Sequence, residues 1–272
     1  MQIPFWKMHG AANDFIVVDD RRLTFPVQDQ AWLADVMQRR LGVGSEGILL
    51  IQPSAKANFR MRFFNPDGGE VDMCGNGARC IARLASEIGA APPSLSMETP
   101  AGIVCADVEG DHVRLLMTEP KDWRLNGTLV IDGEQLPYHY VVCGVPHVMM
   151  VVRNLTAFDV DRIGELIRYD KAFQPKGTNA NFIQVTGPDS LRVRTYERGV
   201  EGETLACGTG ITACGLLAGK LGLVRAPVKV TPLSGDVLEV NYTATADSAT
   251  DVTLYGPAVH VFRGELEYPG KV

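Results

Sequence analysis

Two short segments of the chain combine a cysteine with glycines in a pattern suited to acid–base chemistry. LACGTGITACG, which begins at Leu205, places Cys207 before a Gly-x-Gly turn and a run of small apolar residues; MCGNGARCIAR, which begins at Met73, gives Cys74 the same setting. A cysteine at the start of a helix lies at the positive end of the helix dipole, which stabilises the thiolate. The glycines leave backbone N–H groups accessible to an anion. Each segment therefore predicts a potential base beside part of an anion site.

Taken alone, either segment also has a purely structural interpretation. Small residues at the start of a helix permit close packing against neighbouring elements, and a cysteine can act there as a small hydrophobe. A phosphate-binding loop is disfavoured, because neither segment contains the Lys-Ser/Thr pair that completes a P-loop. The presence of two copies is what favours chemistry over packing.

Internal similarity supports treating the two segments as a pair. Further landmarks recur at nearly the same offset from each cysteine: Gly44 with Gly177, Glu70 with Glu203, and TPAG at Thr99 with TPLSG at Thr231. Each half then reaches an end marked by proline, at Pro120 and Pro257. We interpret the pattern as duplication and fusion. It predicts two domains of one fold that face each other across a pseudo-twofold axis, with a ligand site in the cleft between them.

Paired thiols of this kind suit the inversion of an amino acid at its α carbon. One thiolate would remove the α proton while the opposite thiol delivers a proton to the other face. The helix N-termini would stabilise the charge that develops on the substrate carboxylate. This chemistry requires no cofactor, and the sequence carries no lysine in a phosphate-binding context that would indicate pyridoxal phosphate.

The local sequence predicts an α/β fold in which strands dominate. The strand predictions are FIVVD, ILLIQ and RMRFF in the first half, and HVMMVV, FIQV and LRVRTY in the second. Helices are expected at VQDQAWLADVMQRRLG, with Gly42 as C-cap, and after each cysteine. The segments after the cysteines are nearly apolar all round, which is typical of helices surrounded by protein. Each half is therefore expected to be a curled sheet around a central helix.

Composition excludes several classes of function. The net charge of −6 argues against a nucleic-acid binder, which needs a basic face. The N-terminus lacks the pattern of a signal peptide and no apolar run reaches membrane-spanning length, so we expect a cytoplasmic protein with no membrane partner. No CxxC pair indicates zinc or another metal. The remaining cysteines have small or apolar neighbours and are expected to be buried: Cys80, Cys105, Cys143 and Cys214.

Five segments resemble, in order along nearly the whole chain, the signature segments of the diaminopimelate epimerases: KMHGAANDFIVVD, FFNPDGGEVDMCGNGARCIAR, GVPHV, GTNANF and YERGVEGETLACGTG. The resemblance implies a cofactor-independent, two-base interconversion of LL- and meso-diaminopimelate, used in making lysine and peptidoglycan precursors. It also implies a homodimer. The two domains would span 1–119 and 120–262, with a C-terminal strand at 263–272 returning to the first domain.

The resemblance also implies roles for particular residues. Cys74 and Cys207 would be the acid–base thiols, assisted by His147 and Glu197, although His147 could merely cap a strand and Glu197 could form a surface ion pair. The N–H groups expected to hold the reacting-end carboxylate are those of Gly75, Asn76, Gly208 and Thr209. The residues expected at the other end of the substrate are Arg198, suited to a bidentate grip on a carboxylate, and Asn13, Asn65 and Asn179. Without the resemblance, Asn13 and Asn65 would be interpreted as turn residues.

Two positions depart from the family pattern and keep alternatives open. Val145 stands in GVPH where many members have GNPH, and Glu46 in GSEG where GADG is common. A racemase of another amino acid, such as histidine, on the same scaffold is therefore the main alternative. A dithiol redox protein would leave the paired glycine turns and Arg198 unexplained, and a non-catalytic amino-acid-binding protein would not need the second cysteine.

Overall fold

The computed structural model describes residues 1–270, which form two compact units. The first comprises Met1–Leu115 and the segment from Gly256 onwards, and the second comprises Leu116–Tyr255. The domain boundaries given above stay a prediction, and the last two residues of the predicted C-terminal strand, 271 and 272, lie outside the described residues. None of the helices within residues 1–270 has the length and apolar character needed to cross a membrane.

The chain up to residue 116 contributes most of the first unit. Its elements are β1 (Gln2–Gly10), β2 (Asn13–Asp19), α1 (Gln30–Met37), β3 (Ile48–Gln52), β4 (Phe59–Phe64), β5 (Glu70–Val71), α2 (Gly75–Glu87), β6 (Ser94–Thr99), β7 (Gly102–Glu109) and β8 (His112–Leu116).

The second unit follows, and one further strand returns to the first. The elements are β9 (Lys121–Ile131), β10 (Glu134–Cys143), β11 (Val145–Val151), α3 (Val160–Tyr169), a 3-10 turn (Lys171–Phe173), β12 (Asn179–Gly187), β13 (Ser190–Glu197), β14 (Gly202–Thr204), α4 (Gly208–Lys220), β15 (Val228–Thr231), β16 (Leu238–Ala244), β17 (Ala249–Pro257) and β18 (Val259–Glu267). All six strands expected from the sequence are present, as β2, β3, β4, β11, β12 and β13.

In the first unit the strands form a mixed sheet in the order β18-β1-β2-β3-β4-β6-β7-β8, with β5 paired to the end of β4. The β2–β3 and β4–β6 pairs are parallel and the others are antiparallel. Strand β3 is buried on both faces, as its unbroken ILLIQ sequence suggests. Helix α2 contacts β1, β2, β3, β4 and β7, because the sheet curls around it.

The second unit repeats this arrangement strand by strand. Its order is β9-β10-β11-β12-β13-β15-β16-β17, with β14 paired to the end of β13 and with parallel pairs at the same two places, β11–β12 and β13–β15. Helix α4 is contacted by β10, β11, β12, β13, β15 and β16. The predicted fold class, two related units that each curl a mixed sheet around a central helix, is confirmed.

Small residues allow the central helices to lie close to their sheets. A Cβ added to Gly77 would meet Leu49 at 3.2 Å, and one added to Gly215 would meet Val240 at 2.9 Å. Helix α4 is apolar on nearly all sides, as predicted, but α2 also buries Arg79 completely. A buried guanidinium needs acceptors, and those acceptors are part of the site described below.

Two local predictions are wrong. Helix α1 ends at Met37 and Gly42 is not its C-cap, since the chain becomes extended at Gln38 and the backbone of Gly42 then packs against the α1 carbonyls. Cys105 is exposed rather than buried, because it lies on strand β7 with its side chain on the solvent face.

Candidate active site

Cys74 occupies the N-cap position of the buried helix α2. Its backbone is extended, with φ −138° and ψ 122°, and its carbonyl oxygen accepts the first helical hydrogen bond from Ala78 at 2.8 Å. The Sγ–H donates to Oδ1 of Asn13 at 3.6 Å. Asn13 begins strand β2, so the hairpin between β1 and β2 brings it to the first turn of α2. The two residues, predicted to act at the same site, are in contact.

The amide of Asn13 connects this thiol to other polar groups. Its Oδ1 also accepts from Nδ2 of Asn76 at 3.3 Å, and its Nδ2 donates to Glu46. Although part of the Glu46 side chain is exposed, loss of water around its carboxyl raises its pKa, and the hydrogen bond from Asn13 opposes this shift. The longer acid at this position therefore reaches a residue expected to bind substrate.

The guanidinium of Arg79 stabilises the first turn of α2 by hydrogen bonds. Its NH2 donates to Oδ1 of Asn76 at 2.9 Å, and its Nε donates to the carbonyl oxygen of Pro257 at 3.2 Å. A Cβ on Gly10 would meet the same guanidinium at 3.0 Å, so β1 must carry glycine there. The Asn76 side chain is thus fixed on both sides, by Asn13 and by Arg79.

Asn65 and Gly75 are both partly exposed residues of the first unit. Asn65 starts the turn between β4 and β5, where its N–H donates to Gly69 and its carbonyl accepts from Gly68, each at 2.8 Å. A Cβ added to Gly75 would meet nothing within 4 Å. The space next to the Cα atom of Gly75, at the start of α2, is therefore open.

Cys207 occupies the equivalent N-cap position of α4. Its backbone is again extended, with φ −114° and ψ 108°, and its Sγ lies 3.6 Å from the hydroxyl of Thr209, with either atom able to donate. Its carbonyl accepts from Ile211 at 2.8 Å. Gly208 opens the helix, and its carbonyl oxygen accepts from the hydroxyl of Thr212 at 3.0 Å. Both predicted thiols therefore have the helix-start geometry inferred from the sequence.

His147 lies on β11, completely buried. Burial, with a smaller contribution from the charge of Arg198, lowers its pKa to about 3. Its Nδ1 lies 3.3 Å from Nδ2 of Asn181 on the parallel strand β12. The imidazole is therefore neutral over the physiological pH range. It can form hydrogen bonds, but it is not a protonated general acid.

Two further predicted residues, Asn179 and Arg198, are connected to the strand that carries His147. Asn179 is the direct neighbour of His147 on β12; its Oδ1 accepts from the backbone N–H of Arg198 at 2.8 Å and its Nδ2 donates to the carbonyl of Pro146 at 3.3 Å. NH1 of Arg198 donates to the carbonyl of Lys176 at 2.7 Å. Asn179 thus ties the backbone that carries Arg198 to the strand that carries His147.

Glu197 is the last residue of β13, and its carboxylate is held by a hydroxyl. Thr204, on the antiparallel strand β14, donates to Oε2 of Glu197 at 2.9 Å. Since β14 leads into Cys207, the same short strand positions the carboxylate and the thiol. Glu197 and Cys207 are therefore supported by one local structure.

Four residues that organise these groups were not predicted from the sequence: Arg79, Asn181, Thr195 and Thr204. One signal was present in GTNANF, because Asn179 and Asn181 are two positions apart on a strand and must face the same side. No comparable signal existed for Thr195, whose role depends on strand pairing. Within residues 1–270 no cluster of three or more His, Cys, Asp or Glu side chains could hold a metal ion.

Comparison with known proteins agrees with the resemblance noted from the sequence. The family model described as diaminopimelate epimerase matches residues 5–123 and 139–261. The diaminopimelate epimerase of Aquifex aeolicus is 39% identical over 96% of this chain and 97% of its own length. That of Chlorobaculum tepidum is 41% identical over 95% of this chain and 99% of its own length.

Solved structures with much lower sequence identity share the fold. A phenazine biosynthesis protein of the PhzF family from Bacillus anthracis has a TM-score of 0.76 at 18% identity, covering 98% of this chain and 100% of its own. A hydroxyproline epimerase from Agrobacterium vitis has a TM-score of 0.72 at 18% identity, covering 97% and 91%.

Proposed function

The chain belongs to the diaminopimelate epimerase family, and on that premise we propose that it interconverts LL- and meso-diaminopimelate. The proposal rests on a feature that occurs in both units: a cysteine is the N-cap residue of the buried central helix. A reaction that inverts a carbon centre needs one group to remove a proton and another to supply one.

The proton transfer is balanced between the two thiols. One cysteine, as thiolate, takes the α proton, so that a C–H bond breaks and an S–H bond forms. The other, as thiol, donates its proton to the α carbon and becomes the thiolate. The helix dipole favours the thiolate at each position. Cys74 and Cys207 are the catalytic residues in this proposal.

The substrate carboxylate at the reacting end is assigned to the first residues of the two helices. We assign it to the backbone N–H groups of Gly75, Asn76, Gly208 and Thr209, because the N–H groups of a first helical turn point toward the helix start. Hydrogen bonds to this carboxylate strengthen as negative charge develops on it, which lowers the barrier to removal of the α proton.

His147 and Glu197 are assigned supporting roles beside the thiols. With its pKa lowered to about 3, His147 acts as a neutral hydrogen-bond donor and not as an imidazolium acid. Glu197, oriented by Thr204, provides a fixed acceptor for the substrate ammonium group. Neither role requires a change of protonation during turnover.

The distal end of the substrate carries a second ammonium and a second carboxylate. Arg198 is assigned to the carboxylate, since its guanidinium has donors in addition to the one directed at Lys176. Asn13, Asn65 and Asn179 are assigned to the polar groups, because an amide both donates and accepts. A shorter amino acid would leave these groups unpaired, which is the basis of discrimination.

The alternative of a racemase acting on another amino acid, such as histidine, is not favoured. The curated relatives that match nearly the whole chain at 37–41% identity are named diaminopimelate epimerase.

The test is isomerisation in D2O. Reduced enzyme is incubated with LL-diaminopimelate, and α-deuterium incorporation and the meso isomer are followed together. We expect deuterium in the isomerised product, and loss of isomerisation in both Cys74→Ala and Cys207→Ala. Cys105→Ala is the matched control, because Cys105 is exposed on β7. Turnover that survives either of the first two substitutions would contradict the two-thiol mechanism.

The same proposal includes a cytoplasmic, homodimeric enzyme that needs no cofactor. Activity should be unchanged after dialysis against EDTA and in the presence of hydroxylamine, which would trap a pyridoxal aldehyde. Light scattering should give twice the mass of 29.6 kDa. Loss of activity after either treatment would contradict the absence of a cofactor. A monomer mass at assay concentration would contradict the homodimer.

A further inference from the structure

The two units can be compared residue by residue, because their strand registers match. Arg62 on β4 holds Glu70 on β5 by two hydrogen bonds, at 2.8 and 2.6 Å, and Arg194 on β13 holds Glu203 by two at 2.6 and 2.7 Å. With these pairs aligned, the cross-strand partners of β2 to β4 align with those of β11 to β13. The alignment places three residues of one unit at the positions of three in the other: Phe15 with His147, Leu49 with Asn181, and Phe63 with Thr195.

In the first unit these three positions form an apolar floor beneath α2. Phe15 and Leu49 are completely buried, and the rings of Phe15 and Phe63 pack edge to face with centroids 6.0 Å apart. A Cβ on Gly77, in the first turn of α2, would meet Leu49 at 3.2 Å and Phe15 at 3.5 Å. At these three positions the first turn of α2, which follows Cys74, therefore packs against apolar side chains only.

In the second unit the side chains at the same positions are connected to one another by hydrogen bonds. The hydroxyl of Thr195 donates to Oδ1 of Asn181 at 3.0 Å, and Nδ2 of Asn181 lies 2.7 Å from the carbonyl oxygen of Val148 and 3.3 Å from Nδ1 of His147. All three side chains are buried. A Cβ on Gly210 would lie 2.5 Å from Oδ1 of Asn181 and 3.4 Å from Sγ of Cys207. These hydrogen-bonded side chains therefore lie directly beneath the first turn of α4, which begins after Cys207.

The direction of these hydrogen bonds follows from which of the groups can donate and which can only accept. A backbone carbonyl only accepts, so the amide nitrogen of Asn181 must face Val148, and its oxygen must face Thr195. An amide nitrogen only donates, so Nδ1 of His147 must accept. In a neutral imidazole the other nitrogen then carries the proton. Nε2 of His147 is buried and has no hydrogen-bond partner among the described residues.

We infer that Asn181 is a positioning residue that holds His147 as the neutral tautomer protonated at Nε2, giving the Cys207 unit a fixed N–H donor. The first unit has Phe15 at the equivalent place, so the two thiol sites are chemically unequal. A buried N–H donor without a protein acceptor is costly, and an anionic group of the bound substrate would satisfy it. This last step rests on the proposed function, whereas the tautomer does not.

The tautomer can be measured without substrate. The enzyme is labelled with 15N-histidine, and the His147 signals are assigned by their absence in His147→Phe. We expect Nδ1 to be unprotonated and Nε2 to carry the proton, unchanged between about pH 5.5 and 9, where an ordinary histidine titrates. In Asn181→Asp, whose carboxylate only accepts, we expect the proton to move to Nδ1. Asn154→Asp is the control, because Asn154 is exposed and its oxygen caps Ala157, as a carboxylate can.

The kinetic expectation separates positioning from mere packing. Asn181→Asp should lower kcat by about 10²-fold with a smaller change in KM, since the loss of one preorganised hydrogen-bond donor typically costs about 10²–10³-fold in kcat. The double variant His147→Phe with Asn181→Leu copies two of the three apolar positions of the first unit and leaves Thr195 in place. It should fold and should show a kcat as low as that of His147→Phe alone, because Asn181 acts through His147.

Several results would overturn the inference. A wild-type His147 protonated at Nδ1 would do so even if Asn181→Asp failed to fold, because this measurement needs only His147→Phe for the assignment. An unchanged tautomer in Asn181→Asp, or an additional loss of kcat in the double variant beyond His147→Phe, would do so as well. Failure of the proposed function gives a different result: no turnover of diaminopimelate by wild-type enzyme, with the tautomer as inferred.

Discussion

Arg62 on β4 and Glu70 on β5 form a two-point ion pair, and Glu70 lies four residues before Cys74. The hydrogen bonds from Arg62 are the main reason why the pKa of Glu70 lies below its usual value. A carboxylate with a lowered folded-state pKa stabilises the fold above its unfolded pKa, and this contribution disappears as the pH falls through the folded pKa. The pair therefore links the stability of this strand to pH.

We expect Glu70→Gln to lower the free energy of unfolding by about 1 kcal/mol at neutral pH, the upper range for a partly exposed pair. The difference from wild type should vanish in strong acid, where both forms are uncharged. Urea unfolding at the two pH values measures it. Glu134→Gln, at an exposed position of β10, should have no effect at either. A Glu70→Gln effect that persists in acid would contradict the assignment.

Gly210 and Gly75 are two helix-start glycines with very different surroundings. A Cβ on Gly210 would lie 2.5 Å from Oδ1 of Asn181, whereas one on Gly75 would meet nothing within 4 Å. We expect Gly210→Ala to lower the free energy of unfolding by about 1–3 kcal/mol through overpacking, and Gly75→Ala to change it by less than about 0.5 kcal/mol. Thermal unfolding of both variants is the measurement. Equal stability of the two would show that the helix start of α4 has more room than its packing indicates.

Val145 lies at the tip of the hairpin between β10 and β11, where Gly144 is close to Thr209 of α4. The resemblance to the family leads us to expect asparagine at this position. We expect Val145→Asn to lower KM for LL-diaminopimelate about tenfold with kcat unchanged, since a hydrogen bond to a charged group contributes roughly 1.5–3 kcal/mol and uniform binding alters KM alone. Val145→Thr, which adds only a short hydroxyl, is the control. An unchanged KM would mean that other residues already satisfy the distal carboxylate.

Five of the six cysteines should differ sharply in reactivity towards iodoacetamide. Burial raises the pKa of Cys80 and of Cys143 to about 12, and raises that of Cys214 as well. These three should remain unlabelled in the native enzyme, because a buried thiol is both protonated and inaccessible. Cys105 is exposed and Cys74 is half-buried, so both should be labelled.

Substrate should distinguish the two labelled cysteines. Peptide mass spectrometry in the presence of diaminopimelate should show protection of Cys74 and not of Cys105. Labelling of Cys80, Cys143 or Cys214 at the rate of Cys105 would show that the core opens more readily than its packing indicates. Equal protection of Cys74 and Cys105 would argue against a substrate site at the start of α2.

Much of the fold was predictable because its signals are local. The six central strands combine β-branched and aromatic runs with flanking turn residues, and the small apolar segments after the cysteines indicate central helices. The repeat was visible as equal spacings. The errors were also local: α1 is shorter than its pattern suggests because the chain turns extended at Gln38, and the outward orientation of Cys105 depends on strand β7, which was not predicted.

The sequence by itself determined the pair of cysteines at helix starts, the duplication and the family, since these depend on residue types and spacings along the chain. Only the tertiary structure decided what lies beneath each helix. Phe15, Leu49 and Phe63 are scattered along the chain, as are His147, Asn181 and Thr195, and they become equivalent sets only through strand pairing. A hydrogen bond depends on distances between strands, which no local pattern records, and so the difference between the two thiol sites emerged from the packing alone.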